Sequence, residues 1–163
     1  MVSGHAHIRP MTPYDKPAIM HILETTPEFK PIEVVVAEEL IDCYLEDSTG
    51  LTYPIMVAEI DSEIAGYICM GPTPLTEGTW DIYWIAVSRE KQNRSIGSIL
   101  LAAAENKIRE DQGRLIFIET SSMPSYEKTR LFYRARGYEI VCQVADFYAP
   151  GDDKVILLKR LSC

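Results

Sequence analysis

No apolar run in this chain approaches the roughly 18 residues that a membrane helix needs, so hydropathy excludes a spanning helix. The opening residues, MVSGHAHIRPMTPYDK, hold no basic stretch followed by an apolar one, and a secretion leader is not expected. Cysteine is sparse and scattered. Cys43, Cys69, Cys142 and Cys163 never stand in C-x-x-C spacing, which argues against a zinc site or a disulfide framework and for reduced thiols. His5, His7 and His21 come without a suitably spaced carboxylate or cysteine, so no metal site is expected. The G-x-x-x-x-G-K-[ST] of a P-loop is missing, as is the G-x-G-x-x-G of a dinucleotide site. Internal repeats, low-complexity tracts and Gly/Ser linkers are missing too, and 163 residues suit a single domain, 1–163, with one core.

Basic residues are nearly absent from the first half. Residues 1–88 hold 3 Lys+Arg against 14 Asp+Glu, whereas residues 89–163 hold 13 against 10. The net charge of −8 speaks against general nucleic-acid binding through phosphates. One half would repel a phosphate and attract a cation, and the other tolerates an anion. With 47% hydrophobic and 25% charged residues the composition is that of a soluble globular protein, for which the cytoplasm is the expected compartment.

The spacing of apolar residues predicts an α/β domain. HIRPMT reads as a short first strand, and PYDKPAIMHILETT as a helix with Ile19, Ile22 and Leu23 at helical spacing. PIEVVVAEELIDCYLED is a second helix, acidic on one face. YPIMVAEI and EIAGYICMG read as a hairpin about Asp61 and Ser62, followed by the strand TWDIYWIAV. SIGSILLAAAENKIREDQG is a helix with Ile96, Ile99, Leu100, Ala103 and Ile108 on one side and Gly113 as its C-cap. RLIFIET is apolar enough for an interior strand. SYEKTRLFYRARG is a short helix, and YEIVCQVADFY and KVILLKR close the chain around PGDD. A helix between the fourth and fifth strands makes those two parallel in a mixed, mostly antiparallel sheet of seven strands with four helices.

Chemistry is expected first at QNRSIGSILL, where a strand hands over to a helix. The first N–H groups of a helix and its dipole form an anion site. Gly97 allows close backbone approach, Ser95 can cap, and Arg94 adds a charge that forks onto phosphate. Gln92, Asn93, Ile96 and Ser98 complete the turn. In the strand before it, a period of two puts Asp81, Tyr83, Ile85 and Val87 on one face. Asp81 is an acid among aromatics, and burial beside Trp80, Tyr83 and Trp84 would raise its pKa toward that of a working base. Facing water or a substrate cation is the competing role for that carboxylate.

Two motifs in order, Gln92-x-x-Ser95-x-Gly97 and Phe132-Tyr133-Arg-Ala-Arg-Gly137-Tyr138, resemble the central motifs of the GNAT superfamily of acyl-CoA-dependent N-acyltransferases. The resemblance covers nearly the whole chain in element order and implies an N-acetyltransferase fold. It implies acetyl-CoA as cosubstrate, its pyrophosphate wrapped by the Gln92–Ser98 turn. Main-chain groups along Ile85, Ala86 and Val87 would meet the acyl carbonyl and pantetheine arm where the fourth and fifth strands splay. Tyr133 stands where the family has the tyrosine that faces the CoA sulfur, and some members carry a carboxylate or histidine at the position of Asp81. The first two helices and their loops bind the acceptor in this family. Here they hold Glu28, Glu33, Glu38, Glu39 and Asp42, which with Tyr83 fits a cationic amine, either a small molecule or a peptide amine. The resemblance brings in neither nucleic acid nor membrane and leaves a homodimer open. Two positions depart from the pattern. Ser95 replaces the usual glycine and costs roughly 1 kcal/mol if its φ is left-handed, and Tyr126 stands where many members have asparagine. Both departures favour the rival reading, a catalytically silent acyl-CoA-binding module.

Overall fold

Strands and helices form on the segments marked out by the hydrophobic spacing, in a computed structural model that describes residues 5–49, 53–92 and 95–162. The strands are β1 (His7–Pro10), β2 (Ile55–Ile60), β3 (Glu63–Pro72), β4 (Thr79–Val87), β5 (Leu115–Ser121), β6 (Glu139–Ala149) and β7 (Asp152–Arg160). The helices are α1 (Lys16–Thr25), α2 (Pro31–Glu46), α3 (Ile96–Glu110) and α4 (Glu127–Arg134). They build one α/β unit on a seven-stranded sheet of order β1-β2-β3-β4-β5-β7-β6. Every neighbouring pair is antiparallel except β4 and β5, which α3 connects in parallel.

Local chemistry sets several boundaries. Pro31 opens α2, and the Lys30 N–H donates to the Glu33 carboxylate at 2.7 Å, so an orphan donor at the helix start is satisfied. Asp61 and Ser62 both take positive φ, 51° and 64°, as a two-residue hairpin between β2 and β3 requires. Gly113 is not the left-handed residue after α3; Gln112 is, at φ 61°. What position 113 needs is the absence of a side chain, because a Cβ there would run into Ile108.

Each face of the sheet carries its own core. Ile96, Leu100, Leu101, Ala104 and Ile108 of α3 pack on Ile68, Met70, Ile82, Ile116 and Ile118, joined by Tyr133 and Tyr138. On the other face Ile19, Ile22 and Leu23 of α1 and Ala37 and Ile41 of α2 cover Val57, Tyr67 and Cys69. Burying each such aliphatic side chain stabilises the fold by about 1.5–3 kcal/mol. The buried stripe of α3 differs from the expected one. Ile99 is left exposed and Ala103 half-buried, while Leu101, Ala104 and Glu105 go inside. Apolar residues at nearly every position from 99 to 104 fit more than one helical face, and only docking on the sheet selects between them.

The shared face expected for Asp81, Tyr83, Ile85 and Val87 is corrected by a β-bulge. Cys69 pairs with Trp84 and Met70 with Ile82, so Tyr83 is an extra residue in β4. Both Tyr83 and Trp84 then turn to the α1–α2 side, and the alternation changes phase there. Asp81 and Tyr83 stay on that side, whereas Ile85 and Val87 pack toward α3.

One ion pair ties the first strand to the first helical turn. Arg9 forks onto Asp15 at 2.7 and 2.9 Å, and the carboxylate also accepts from the Thr12 N–H and hydroxyl. These donors hold the buried Asp15 carboxyl down to about 2, the Arg9 hydrogen bonds first among them. A depressed carboxyl stabilises the fold above its unfolded pKa and loses that contribution as pH falls toward its folded one. We therefore expect about 1–2 kcal/mol, after discounting for solvent screening around Arg9, to disappear between roughly pH 5 and pH 2. Denaturant unfolding across that range checks it, and Asp15→Asn should flatten this part of the profile.

Candidate functional site

β4 and β5 pair at three positions only, Thr79 with Leu115, Trp80 with Ile116 and Asp81 with Phe117. Past Asp81 the two strands follow different partners. β4 stays on β3 as far as Val87 opposite Gly66, while β5 runs along β7 as far as Ser121 opposite Lys154. They diverge, and a cleft of about 1070 Å³ opens between them. The β4 edge from Ile82 to Val87 faces it without ladder partners on β5, so its main-chain donors and acceptors are available to a ligand.

The start of α3 forms one wall. Gln92, Ser95, Ile96, Gly97 and Ser98 line the cleft, as do Ile85, Ala86 and Val87. The first bond of the helix runs from the Ile99 N–H to the Ser95 carbonyl at 3.0 Å, which leaves the earlier N–H groups directed out of the helix start. Ser95 is left-handed at φ 60°, ψ 15°, and its hydroxyl makes no cap bond. Asn93 and Arg94 lie outside the described residues. A different cation stands at this wall: Arg136 donates through Nε to the Ser98 hydroxyl at 3.1 Å and from a terminal nitrogen to the same oxygen. Its guanidinium also donates to the Phe132 carbonyl at 2.7 Å and stacks 3.7 Å above the Phe132 ring. A Cβ at Gly97 would touch that ring at 3.4 Å, so a bulkier side chain would push on Phe132.

Tyr133 lines the same cleft from α4. Its ring meets Phe132 edge-on at 5.2 Å and Tyr138 at 5.6 Å, and its hydroxyl has no hydrogen-bond partner among the described residues. Burial pushes its phenol well above the ordinary range. Asp81 is half-buried and accepts from the Thr73 hydroxyl at 2.6 Å. Burial raises its pKa, the Thr73 bond works against that, and the Glu119 carboxylate adds to it. Tyr83 lies edge-on to Tyr53 at 5.7 Å, and its phenol is pushed up to about 12 by burial and then by Asp81. Glu28 is exposed on the loop between α1 and α2 and borders the cleft.

Several residues here escape sequence reasoning. Trp84, Glu119, Tyr148, Asp152 and Arg136 all face the cleft, brought there by the bulge, by the divergence of β5 and by the β6–β7 turn. Their one sequence signal is the sign of charge: Glu28, Glu33, Asp81, Glu119 and Asp152 line the cleft from the α1–α2 loop, α2, β4, β5 and β7, while Arg136 sits at the α3 start. Tyr126 also has a visible role. From the 3-10 turn Pro124–Tyr126 it donates to the Glu28 carbonyl at 2.8 Å and so crosses to the α1–α2 loop. Burial and then Glu33 push its phenol up to about 12.

A model of the Acetyltransferase (GNAT) family matches residues 17–138. The chain belongs to that family. It is accordingly an acyltransferase, of a family that uses acyl-CoA. A GNAT-family structure from Desulfovibrio desulfuricans shares 38% identity with it, at a TM-score of 0.90 over 97% of this chain and 100% of that one. The fold also matches an aminoglycoside 6'-N-acetyltransferase complexed with coenzyme A, at 18% identity and TM-score 0.76 over 96% and 98% of the chains. A ribosomal-protein-alanine N-acetyltransferase from Brucella melitensis matches at 20% identity and TM-score 0.74 over 95% and 99%. Among curated proteins there is no significant match. No helix among the described residues is long and apolar enough to cross a membrane.

The left-handed Ser95 of this acyltransferase carries a strain of about 1–2 kcal/mol, part of which a glycine would return as added freedom of the unfolded chain. Ser95→Gly should thus stabilise the protein by a net ~0.5–1 kcal/mol. Thermal unfolding measures this, and an unchanged or lower melting temperature would show that the serine sits there without strain.

Proposed function

We propose that this acyltransferase moves an acetyl group from acetyl-CoA directly to a primary amine of a cationic acceptor, a small molecule or a peptide amine. One observation carries the reading: a single cleft contains the start of α3, the free edge of β4, Tyr133 and five carboxylates. Gln92 and the turn through Ser95, Ile96, Gly97 and Ser98 hold the phosphates with main-chain N–H groups, aided by the helix dipole and by Arg136; Asn93 and Arg94 belong to the same turn. Main-chain groups along Ile85, Ala86 and Val87 receive the pantetheine arm and steady the charge that develops on the acyl oxygen. Acetyl-CoA itself supplies an activated acyl carbon and a thiolate leaving group.

Glu28 and Tyr83 bind the amine on the side opposite the phosphates. Asp81 takes up the proton that the amine gives away, its proton affinity raised by burial. Tyr133 gives a proton to the departing sulfur, and burial keeps its phenol protonated over the working pH range. The cytoplasm is the compartment that suits such a cosubstrate. A homodimer along β6 belongs to the same reading, supported by a strand whose 11 residues are all exposed, Ile140, Val141, Val144, Phe147 and Tyr148 among them. Two observations favour the second reading, a silent acyl-CoA-binding module: the strained Ser95, and the turn of Tyr126 toward Glu28.

Replacing Tyr133 with phenylalanine keeps the ring and removes the proton donor. Turnover should fall by about 10² to 10⁴, the range of general acid help, with the acetyl-CoA dissociation constant barely changed. Steady-state kinetics and calorimetry on Tyr133→Phe decide the point, and turnover within about threefold of wild type would remove Tyr133 from the chemistry. Thiol release by wild type on a panel of amines separates the two readings, since a silent module gains thermal stability from acetyl-CoA and releases no thiol.

The carboxylates predict salt dependence as well. Their attraction for a cation is screened over roughly 8 Å at physiological ionic strength. The KM of the best acceptor should therefore rise with added salt. A best acceptor that is neutral or acidic, with a KM indifferent to salt, would reject the cationic assignment.

A further inference from the structure

Directly behind Tyr133 lies a polar cluster that the transfer reaction, as set out above, does not use. Glu105 sits midway along α3 within its buried stripe, 7% exposed. It accepts from the Tyr138 hydroxyl at 3.0 Å and from the Lys159 ammonium at 2.8 Å on each carboxylate oxygen, and Arg109 approaches to 3.7 Å. A carboxylate is a costly way to fill such a place. Its neighbours along the stripe are Leu101, Ala104 and Ile108, and an aliphatic residue there would bury without desolvating a charge. What the charged group adds over an aliphatic one is a fixed hydrogen-bond partner for Tyr138.

Tyr138 is 2% exposed and bound to Tyr133 twice. Its N–H donates to the Tyr133 carbonyl at 3.2 Å, across a turn that Gly137 makes at φ 87°. Its ring lies 5.6 Å from the Tyr133 ring at 65°. Lys159 stands 5.4 Å over the other aromatic, Tyr138 itself, and joins the cluster to β7. The Tyr133 hydroxyl has no hydrogen-bond partner among the described residues, so its direction is set by the rings packed on it, Phe132 and Tyr138. Of these two, Tyr138 alone is anchored by a hydroxyl.

We propose that the buried Glu105 and Tyr138, with the partly buried Lys159, form a clamp that aims the Tyr133 hydroxyl into the cleft, with Glu105 and Tyr138 as positioning residues for proton transfer. The clamp ties α3, whose start lines the phosphate wall, to the segment that carries the proton donor. This rests on the reading of Tyr133 as that donor. The clamp never touches substrate, so its loss should appear in turnover and leave binding alone.

The experiment is a double-mutant cycle on the full chain. Tyr138→Phe removes one hydroxyl and keeps the packing. It should lower kcat about 10-fold, less than the ~10²-fold that a displacement of 1 Å can cost, while the acceptor KM and the acetyl-CoA dissociation constant stay within twofold. In the Tyr133→Phe background the same change should lower kcat no further, because a positioning residue has nothing left to position. Glu105→Leu combined with Lys159→Met removes the acceptor of the Tyr138 hydroxyl and guards against a fold lost to an unpaired lysine; it should match Tyr138→Phe in kcat. Three results would overturn the clamp alone: Tyr138→Phe with normal turnover and only a lower melting temperature, a double variant slower by the full product of the single effects, or a loss confined to KM. Normal turnover in Tyr133→Phe itself would overturn the donor reading and the clamp with it.

Discussion

The parallel ladder between β4 and β5 stops after Asp81 and Phe117, and the cleft depends on that stop. Had the pairing continued, the β4 edge from Ile82 to Val87 would be spent on β5 and no cleft would open between the strands. The cause lies in the partners of the two strands. β3 holds β4 to its end and β7 holds β5 to its end, so each strand is stabilised by its antiparallel neighbour while the parallel contact is released. An unpaired interior edge is expensive in a folded protein unless something else meets its donors and acceptors. In the proposed function the pantetheine arm of acyl-CoA is that partner.

Around that opening the elements contribute charges of different sign. The helix start and Arg136 make one wall receptive to anions, while carboxylates from the α1–α2 loop, α2, β4, β5 and β7 face the rest. Two of these have a cation beside them, Glu119 with Lys154 at 2.6 Å and Asp152 with Lys30 at 3.9 Å, and Asp152 also accepts from the Ser121 hydroxyl. Asp81 has a hydroxyl partner, Thr73, and among the described residues no cation hydrogen-bonded to it, Lys154 acting only from a distance. It therefore remains the carboxylate whose ionisation the surroundings oppose, which is the property a base needs. Tyr126 joins the halves by bonding the Glu28 carbonyl, so the α1–α2 loop is tied to the β5 side of the cleft by one phenol.

Much of this architecture is legible in the residues themselves. The two-residue turn at Asp61 and Ser62, the proline at the start of α2, the strand character of β4 and the helical character of α3 each follow from local propensities and spacing. So does the place of the open helix start, because a strand running into a glycine-bearing helix start leaves N–H groups exposed in almost any context. Tyr133 and the Gln92–Ser98 turn came to notice through motifs whose spacing is itself local, three to six residues.

Local spacing does not reach further than one element. The bulge at Tyr83 is invisible in TWDIYWIAV, because only the pairing of β4 on β3 shows that one residue is extra, and it turns Asp81 and Tyr83 away from Ile85 and Val87. The buried side of α3 was ambiguous among neighbouring apolar positions, and docking on the sheet took Glu105 inward with them, where Tyr138 and Lys159 compensate its charge from 33 and 54 residues away. Arg136, Glu119 and Asp152 meet at the cleft only because two strands part. The sequence by itself determined the elements, their order and the helix start whose N–H groups are left open, since those follow from interactions within a few residues. Tertiary structure alone decided which side chains share the cleft, because strand divergence, bulges and buried charge pairs are set by partners far away in the chain.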